Sequence, residues 1–165
     1  MDFRVSENLV LGRHRSKQFS RYGVLRNRAI SEFAQHSIDE FDIQTPSQNH
    51  VTRTLSGGNL QKVVMARELA GSPKVIVVHQ PTRGLDVAAT EYVRTRLLEE
   101  RDRGAAIMLI SEDLDELFDL SDRIAVLYEG RIVGIFDRAD ATLEKVGRLM
   151  AGAGESAESS AAEKE

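Results

Sequence analysis

Apolar positions repeat at helical spacing near the N-terminus and gather into short β-branched runs further on. Ile30, Phe33, Ala34, Ile38 and Phe41 recur at three- and four-residue steps, the stripe of an amphipathic helix. The stretch "GGNLQKVVMARELAG" places Leu60, Val63, Val64 and Leu69 on one broad face, and Gly71 suits the helix end. "KVIVV", Lys74 to Val78, is short, β-branched and apolar, which predicts a strand buried on both faces. "ATEYVRTRLLEERDRG" predicts a helix with Val93, Leu97 and Leu98 inward, closing at Gly104. "AAIMLI", Ala105 to Ile110, reads as a second buried strand. "EDLDELFDLS" reads as a short acidic helix, followed by the strand "RIAVLY". Glu129-Gly130 then turns into "RIVGIF", the pattern of a hairpin. Strands alternating with helices predict an α/β fold with a parallel sheet and crossover helices.

Composition narrows this picture without changing it. The 165 residues suffice for one domain with a real core, and 41% hydrophobic with 29% charged residues fits a globular chain. A net charge of −4 gives no global attraction to nucleic acid or an anionic membrane. Between Arg13 and Arg28 lie six Arg or Lys residues and no acid, a local charge that attracts phosphates. Only Phe19 and Tyr22 offer stacking partners there, so the segment reads as a solvated connector between helices. Cysteine is absent, which excludes disulfides and thiolate metal sites. No apolar run approaches the ~20 residues that span a bilayer, so any membrane connection is expected to run through a partner. The N-terminus lacks the charged start and apolar core of a signal peptide. The small, acidic residues 153–165 read as a disordered tail.

Candidate chemistry centres on "RTLSGGNLQK", Arg53 to Lys62. Ser56 stands where a helix N-cap belongs, and Gly57 and Gly58 let another group approach the backbone closely. Free N–H groups and the positive end of the helix dipole then face outward as an anion site. Taken alone, this is an ordinary turn signal. A second stretch, "VIVVHQPTRGLD", ends an apolar run in His79 and Gln80 and places Asp86 before the next helix, where it suits a cap.

The ordered set changes that weight. "LSGGNLQK", a helix with Ala66-Arg67-Glu68, a strand, "PTRGLD", then a strand followed by "SEDLDEL" resembles the nucleotide-binding domain of ABC transporters, from about Val5 to about Gly134. The resemblance implies that Ser56, Gly57, Gly58 and Asn59 contact the γ-phosphate of ATP, with its Mg2+, held by the P-loop of a second nucleotide-binding domain. Asp86 lies at the D-loop position, which helps align the opposing site. The resemblance further implies residues 1–52 as part of a helical subdomain and 53–136 as a RecA-like α/β core, with a C-terminal helix at 137–152.

Three departures from the family pattern bear on activity. A P-loop needs Gly-Lys followed by Ser or Thr, and no glycine here precedes a lysine. The fold is therefore expected to be a partial P-loop NTPase (ABC ATPase) fold, a helical signature subdomain plus a parallel-sheet core lacking the P-loop strand. Met1 is read as an internal or truncated start, and strand 105–110 is expected to carry an unpaired apolar edge that invites aggregation. His79 and Gln80 stand where the family has Asp and Glu. Imidazole is a poor ligand for magnesium, and an amide cannot usefully take a proton from water. Glu112 replaces the switch histidine and would repel phosphate; it reads better as part of an acidic helix start than as a replacement base. No residue is singled out as catalytic or as a metal ligand.

"LSGGNLQK" with "PTRGLD" resembles the tandem ATPases of bacterial importers for simple sugars and nucleosides, and "ISEDLDEL" with "LYEGRIVG" leans toward the nucleoside-like subgroup. The implied partners are a second nucleotide-binding domain and membrane permease subunits, with no nucleic acid. The implied place is the cytoplasmic face of the cell membrane, peripheral, through the permease. ATP and Mg2+ would act at the sandwich, with none expected for the isolated chain. The competing expectation is a truncated, non-catalytic fragment that serves only as an interaction module. A chromosome-associated ATPase sharing the signature is disfavoured because long coiled-coil heptads are absent.

Overall fold

A computed structural model describes residues 2–152, so the expected tail at 153–165 lies outside the described residues. The chain divides into two compact units, Met1–Met108 and Leu109–Glu165, with the division inside a strand.

The first unit is built around one long-range helical cluster. Helix α1 (Val5–Leu9) is followed by a two-strand hairpin, β1 (Ser20–Arg21) and β2 (Val24–Leu25), where the sequence suggested only a connector. Helix α2 (Asn27–Glu40) buries Ala34 and Ile38 of the expected stripe, together with Ser37. Past its C-cap Phe41, Asp42 with φ of +48° turns the chain away from the helix. After a 3-10 turn at Thr52–Thr54 come α3 (Gly57–Leu69), β3 (Val75–His79), α4 (Val87–Asp102) and β4 (Ala106–Ile110). Strands β3 and β4 are hydrogen-bonded neighbours, joined through α4 in the way a parallel pair requires. Val5, Leu9, Phe41, Val63, Val93 and Leu97 are among the residues that form the core between these elements.

Two expectations are corrected here. Helix α3 packs against α1, α2 and α4, so it has no single inner face. It buries Val63, Met65, Ala66 and Leu69 and leaves Leu60 38% exposed. Strand β3 is buried on one face only, with Ile76 in the core while Val75 and Val77 remain 66% and 62% exposed. The second strand expected to be buried, β4, likewise leaves Met108 and Ile110 exposed. A strand presents alternate side chains to opposite faces, and helices cover just one of them.

In the second unit, α5 (Leu114–Leu120) leads to β5 (Arg123–Tyr128) and β6 (Arg131–Asp137), then α6 (Leu143–Met150). The expected hairpin is present, antiparallel, with Tyr128 opposite Arg131 and a register irregularity at Val126/Leu127. Its two-residue turn has φ of +46° at Glu129 and +78° at Gly130, the form that matches strand twist. Ile124, Val126, Ala141 and Val146 form a separate small core, onto which Leu114, Phe118 and Leu149 pack.

Candidate functional site

Ser56 is the N-cap of α3. Its extended backbone (φ −62°, ψ 157°) turns the chain into the helix, and its Oγ accepts from the N–H of Asn59. The Asn59 Nδ2 also donates to Ser56 Oγ at 3.0 Å, and Asn59 Oδ1 accepts from Gln44 N–H at 2.8 Å. Asn59 is thus tied at both ends and holds the turn in shape. A serine hydroxyl that accepts twice keeps its own hydrogen to donate outward. Ser56 and Gly57 are exposed. The first intrahelical donor is Leu60, bonded to Ser56 O at 2.9 Å, so the N–H groups of Gly57 and Gly58 precede the helix ladder.

Asp86 performs the same service for α4. Its side chain accepts from Ala89 N–H at 2.8 Å, the cap expected from its position. The two caps belong to one construction. A Cβ added at Gly58 would lie 2.9 Å from Ala89 Cβ, and one at Gly57 would lie 3.9 Å from Leu85 Cδ2. Residue 58 must therefore be glycine for the first turns of α3 and α4 to touch. Two positive helix ends then meet at one surface, each equivalent to roughly half an elementary charge. That surface can bind anionic oxygen through N–H and O–H donors.

The helix bearing the turn is fixed from below. Lys62 Nζ donates to Asp42 O at 2.8 Å and to Asp42 Oδ2 at 2.9 Å, and it sits 4.5 Å from the Tyr92 ring centre. The hydrogen bond from Lys62, then its charge, hold the Asp42 carboxyl below its ordinary range. Tyr92 donates its hydroxyl to Phe41 O at 2.9 Å, and burial pushes that phenol up. Arg96 lies over the Phe41 ring at 4.2 Å and pairs with Glu99 at 2.8 Å. Arg67 reaches Asn8 Oδ1 at 2.8 Å, linking α3 to α1. Sequence reading passes over this Asp42–Lys62–Tyr92 group; the helix break after Glu40 is its only visible sign.

His79 closes β3 and is exposed. Gln80 follows with φ of +51°, a left-handed conformation that costs a non-glycine residue about 1–2 kcal/mol. An imidazole and an amide make a poor donor set for a hard divalent cation. Among the described residues, no group of three His, Asp or Glu side chains comes together to hold a metal ion. Glu112 belongs to the second unit, in the turn after β4, and is exposed. The cap of α5 is its neighbour Asp113, which accepts from Asp115 N–H at 3.0 Å and Glu116 N–H at 3.3 Å. Ser56, Gly57, Gly58, Asn59 and Asp86 are thus brought together within the first unit.

No family model matches the chain. It is 43% identical over 152 residues to the guanosine import ATP-binding protein NupO of Bacillus subtilis, covering 92% of this chain and 30% of the relative. It is 41% identical over 152 residues to the nucleoside import ATP-binding protein NupA of Lactococcus lactis, with the same coverage, 92% and 30%. With the ribose import ATP-binding protein RbsA of Streptococcus agalactiae it shares 38% identity over 152 residues, again 92% and 30%. The chain thus spans about three tenths of the length of these relatives. Among solved structures, an inward-facing conformation of an ABC transporter is similar with a TM-score of 0.74 at 16% identity, over 92% of this chain and 60% of that one. A dimeric bacterial ABC transporter cassette gives a TM-score of 0.66 at 23% identity, over 82% of this chain and 57% of that one.

Proposed function

On the premise that the chain belongs to the ATP-binding proteins of ABC transporters, of whose length it spans about three tenths, we propose that it lends its signature turn to ATP held elsewhere. The system served is an importer of simple sugars or nucleosides. In this reading a second nucleotide-binding domain carries the P-loop, the Mg2+ and the catalytic carboxylate. Ser56 donates its hydroxyl hydrogen, and Gly57 and Gly58 their N–H groups, to the γ-phosphate. Asn59 keeps Ser56 in place, and Asp86 aligns the opposing site. The chain's own strand end, His79 with Gln80, offers no carboxylate, either to hold a metal or to take a proton from water. Nucleotide bound there would not be cleaved well, and Glu112 is assigned no part in it. Permease subunits would hold the assembly on the inner face of the membrane.

One observation carries the proposal: the N–H groups of Gly57 and Gly58 precede the helix ladder beside the start of α4, at a close contact made possible by glycine at 58. Calorimetric titration of MgATP into the purified chain should show no binding in the micromolar range. Micromolar affinity would refute the trans reading. Paired with a nucleotide-binding domain that carries a P-loop, Ser56→Ala should lower turnover about 100-fold, the loss expected for one oxyanion-type donor. Gln80→Ala should stay within about twofold of the parent, as expected for a residue that makes no transition-state contact. Equal losses would show that the second site is catalytic. No loss from either would leave an interaction module.

A further inference from the structure

We propose that the hairpin Ser20–Leu25 is a docking surface for an anionic phospholipid bilayer. From sequence the segment reads as a solvated connector, and the structure gives it a shape. Strands β1 and β2 pair Ser20 with Leu25 and Arg21 with Val24. Tyr22 and Gly23 form the tip with φ of +51° and +81°, a tight two-residue turn. Arg26 pins the base by donating to Lys17 O at 3.5 Å and Gln18 O at 3.3 Å.

What the hairpin displays is unusual for a water-facing loop. Tyr22 is 93% exposed, Val24 70% and Leu25 49%, and Leu11 beside them is 41% exposed. Leu11 and Leu25 also line a recess of about 620 Å³, where Phe3, Val10 and Ile30 stand among polar residues that include Glu7 and Gln48. Arg15, Lys17 and Arg21 are exposed on and near it, whereas Arg13 is half-buried with its guanidinium over the Phe33 ring at 5.6 Å, and no acid lies between residues 13 and 28. Glu32 answers Arg28 at 2.8 Å, while Arg15 and Lys17 make no ion pair among the described residues.

Exposed aliphatic side chains beside an aromatic tip suit the headgroup boundary, where a tyrosine ring is half in hydrocarbon and half in water. Arg and Lys around them meet phosphate and carboxylate of anionic lipids, each adding about 1 kcal/mol, or roughly fivefold in partitioning. Single-stranded nucleic acid fits less well. It needs several faces on which bases stack, and Phe19 is fully buried against Phe33 at 5.1 Å between ring centres. That leaves Tyr22 alone, flanked by Val24 and Leu25, which cannot stack. The inference does not rest on nucleotide chemistry, and its test needs no ATP.

The chain contains no tryptophan, so Tyr22→Trp makes a single fluorescent reporter at the tip. Vesicles of phosphatidylcholine alone are compared with vesicles of phosphatidylcholine and phosphatidylserine at about seven to three, in roughly 0.1 M salt. The expected result is a blue shift and co-flotation on the anionic vesicles only, weakened at about 0.5 M salt. Reversing Arg15, Lys17 and Arg21 to Glu should lower partitioning at least about 100-fold. The milder Arg21→Gln should lower it about fivefold. Val24→Asp should remove the blue shift while an unchanged thermal melt confirms the fold. Equal binding to neutral vesicles, or a shift that survives charge reversal, would overturn the proposal. So would binding to an oligonucleotide or to permease-bearing membranes with none to protein-free anionic vesicles.

Discussion

A methyl group added at Gly58 would sit 2.9 Å from Ala89 Cβ, whereas one added at Gly57 would meet Leu85 Cδ2 at an ordinary 3.9 Å. Gly58→Ala should therefore cost about 1–3 kcal/mol in urea unfolding, the range for an overpacked contact, and Gly57→Ala should stay within about 0.5 kcal/mol. Asp42 offers a pH test. Its carboxyl is held low by the hydrogen bond and charge of Lys62, so its contribution is fully present above the ordinary carboxylate range. That contribution is lost as pH falls through the lowered value. The substitution Asp42→Asn keeps the left-handed backbone, which asparagine tolerates, and removes the charge. The Tm gap between the parent and Asp42→Asn near pH 7 should close in acid, and a gap that persisted at about pH 2 would show that charge is not its source. The caps at Ser56 and Asp86 were legible because a short polar side chain before a periodic run has one obvious use. The left-handed turn at Gln80 was not, since nothing in a glutamine's chemistry announces it.

At the scale of elements, two hairpins share one turn geometry and differ in visibility. Glu129-Gly130 lies between two alternating apolar runs, so its strands identify the turn. Tyr22-Gly23 lies between strands of two residues each, set among arginines, and offers no alternation to read. The expected single face of α3 fails for another reason: periodicity assumes one inner face, and a helix with neighbours on three sides has none. In the second unit, Gly134 lets Leu149 of α6 lie against β6. A Cβ there would stand 2.7 Å from Leu149 Cδ1 and 3.0 Å from Phe136 Cε2. Gly134→Val should loosen α6 rather than the hairpin. Hydrogen exchange across Leu143–Met150 should quicken by about one to two orders of magnitude, as expected for about 1–3 kcal/mol of overpacking, while Ile124 and Val126 change little.

For the whole molecule, the α/β class and the order of elements were readable because short β-branched runs alternate with amphipathic ones. The uncovered sheet surface was not, because an apolar run cannot say whether both of its faces will find a cover. Val75, Val77 and Met108 share that surface in the first unit, and Leu127, Ile132 and Ile135 are exposed on the hairpin of the second. Val75→Lys with Val77→Lys should reduce concentration-dependent light scattering with little change in Tm, since neither side chain contributes to the core. Unchanged scattering would place the association elsewhere. The contact between residues 58 and 89 reaches beyond this one chain. Two helices that touch with only the Ala89 methyl between them leave no room for a side chain at 58 unless position 89 or their spacing changes. Across homologous sequences, a residue larger than glycine at 58 should appear only beside glycine at 89. The pair should drift together or not at all, a statistical trace of a mechanical joint.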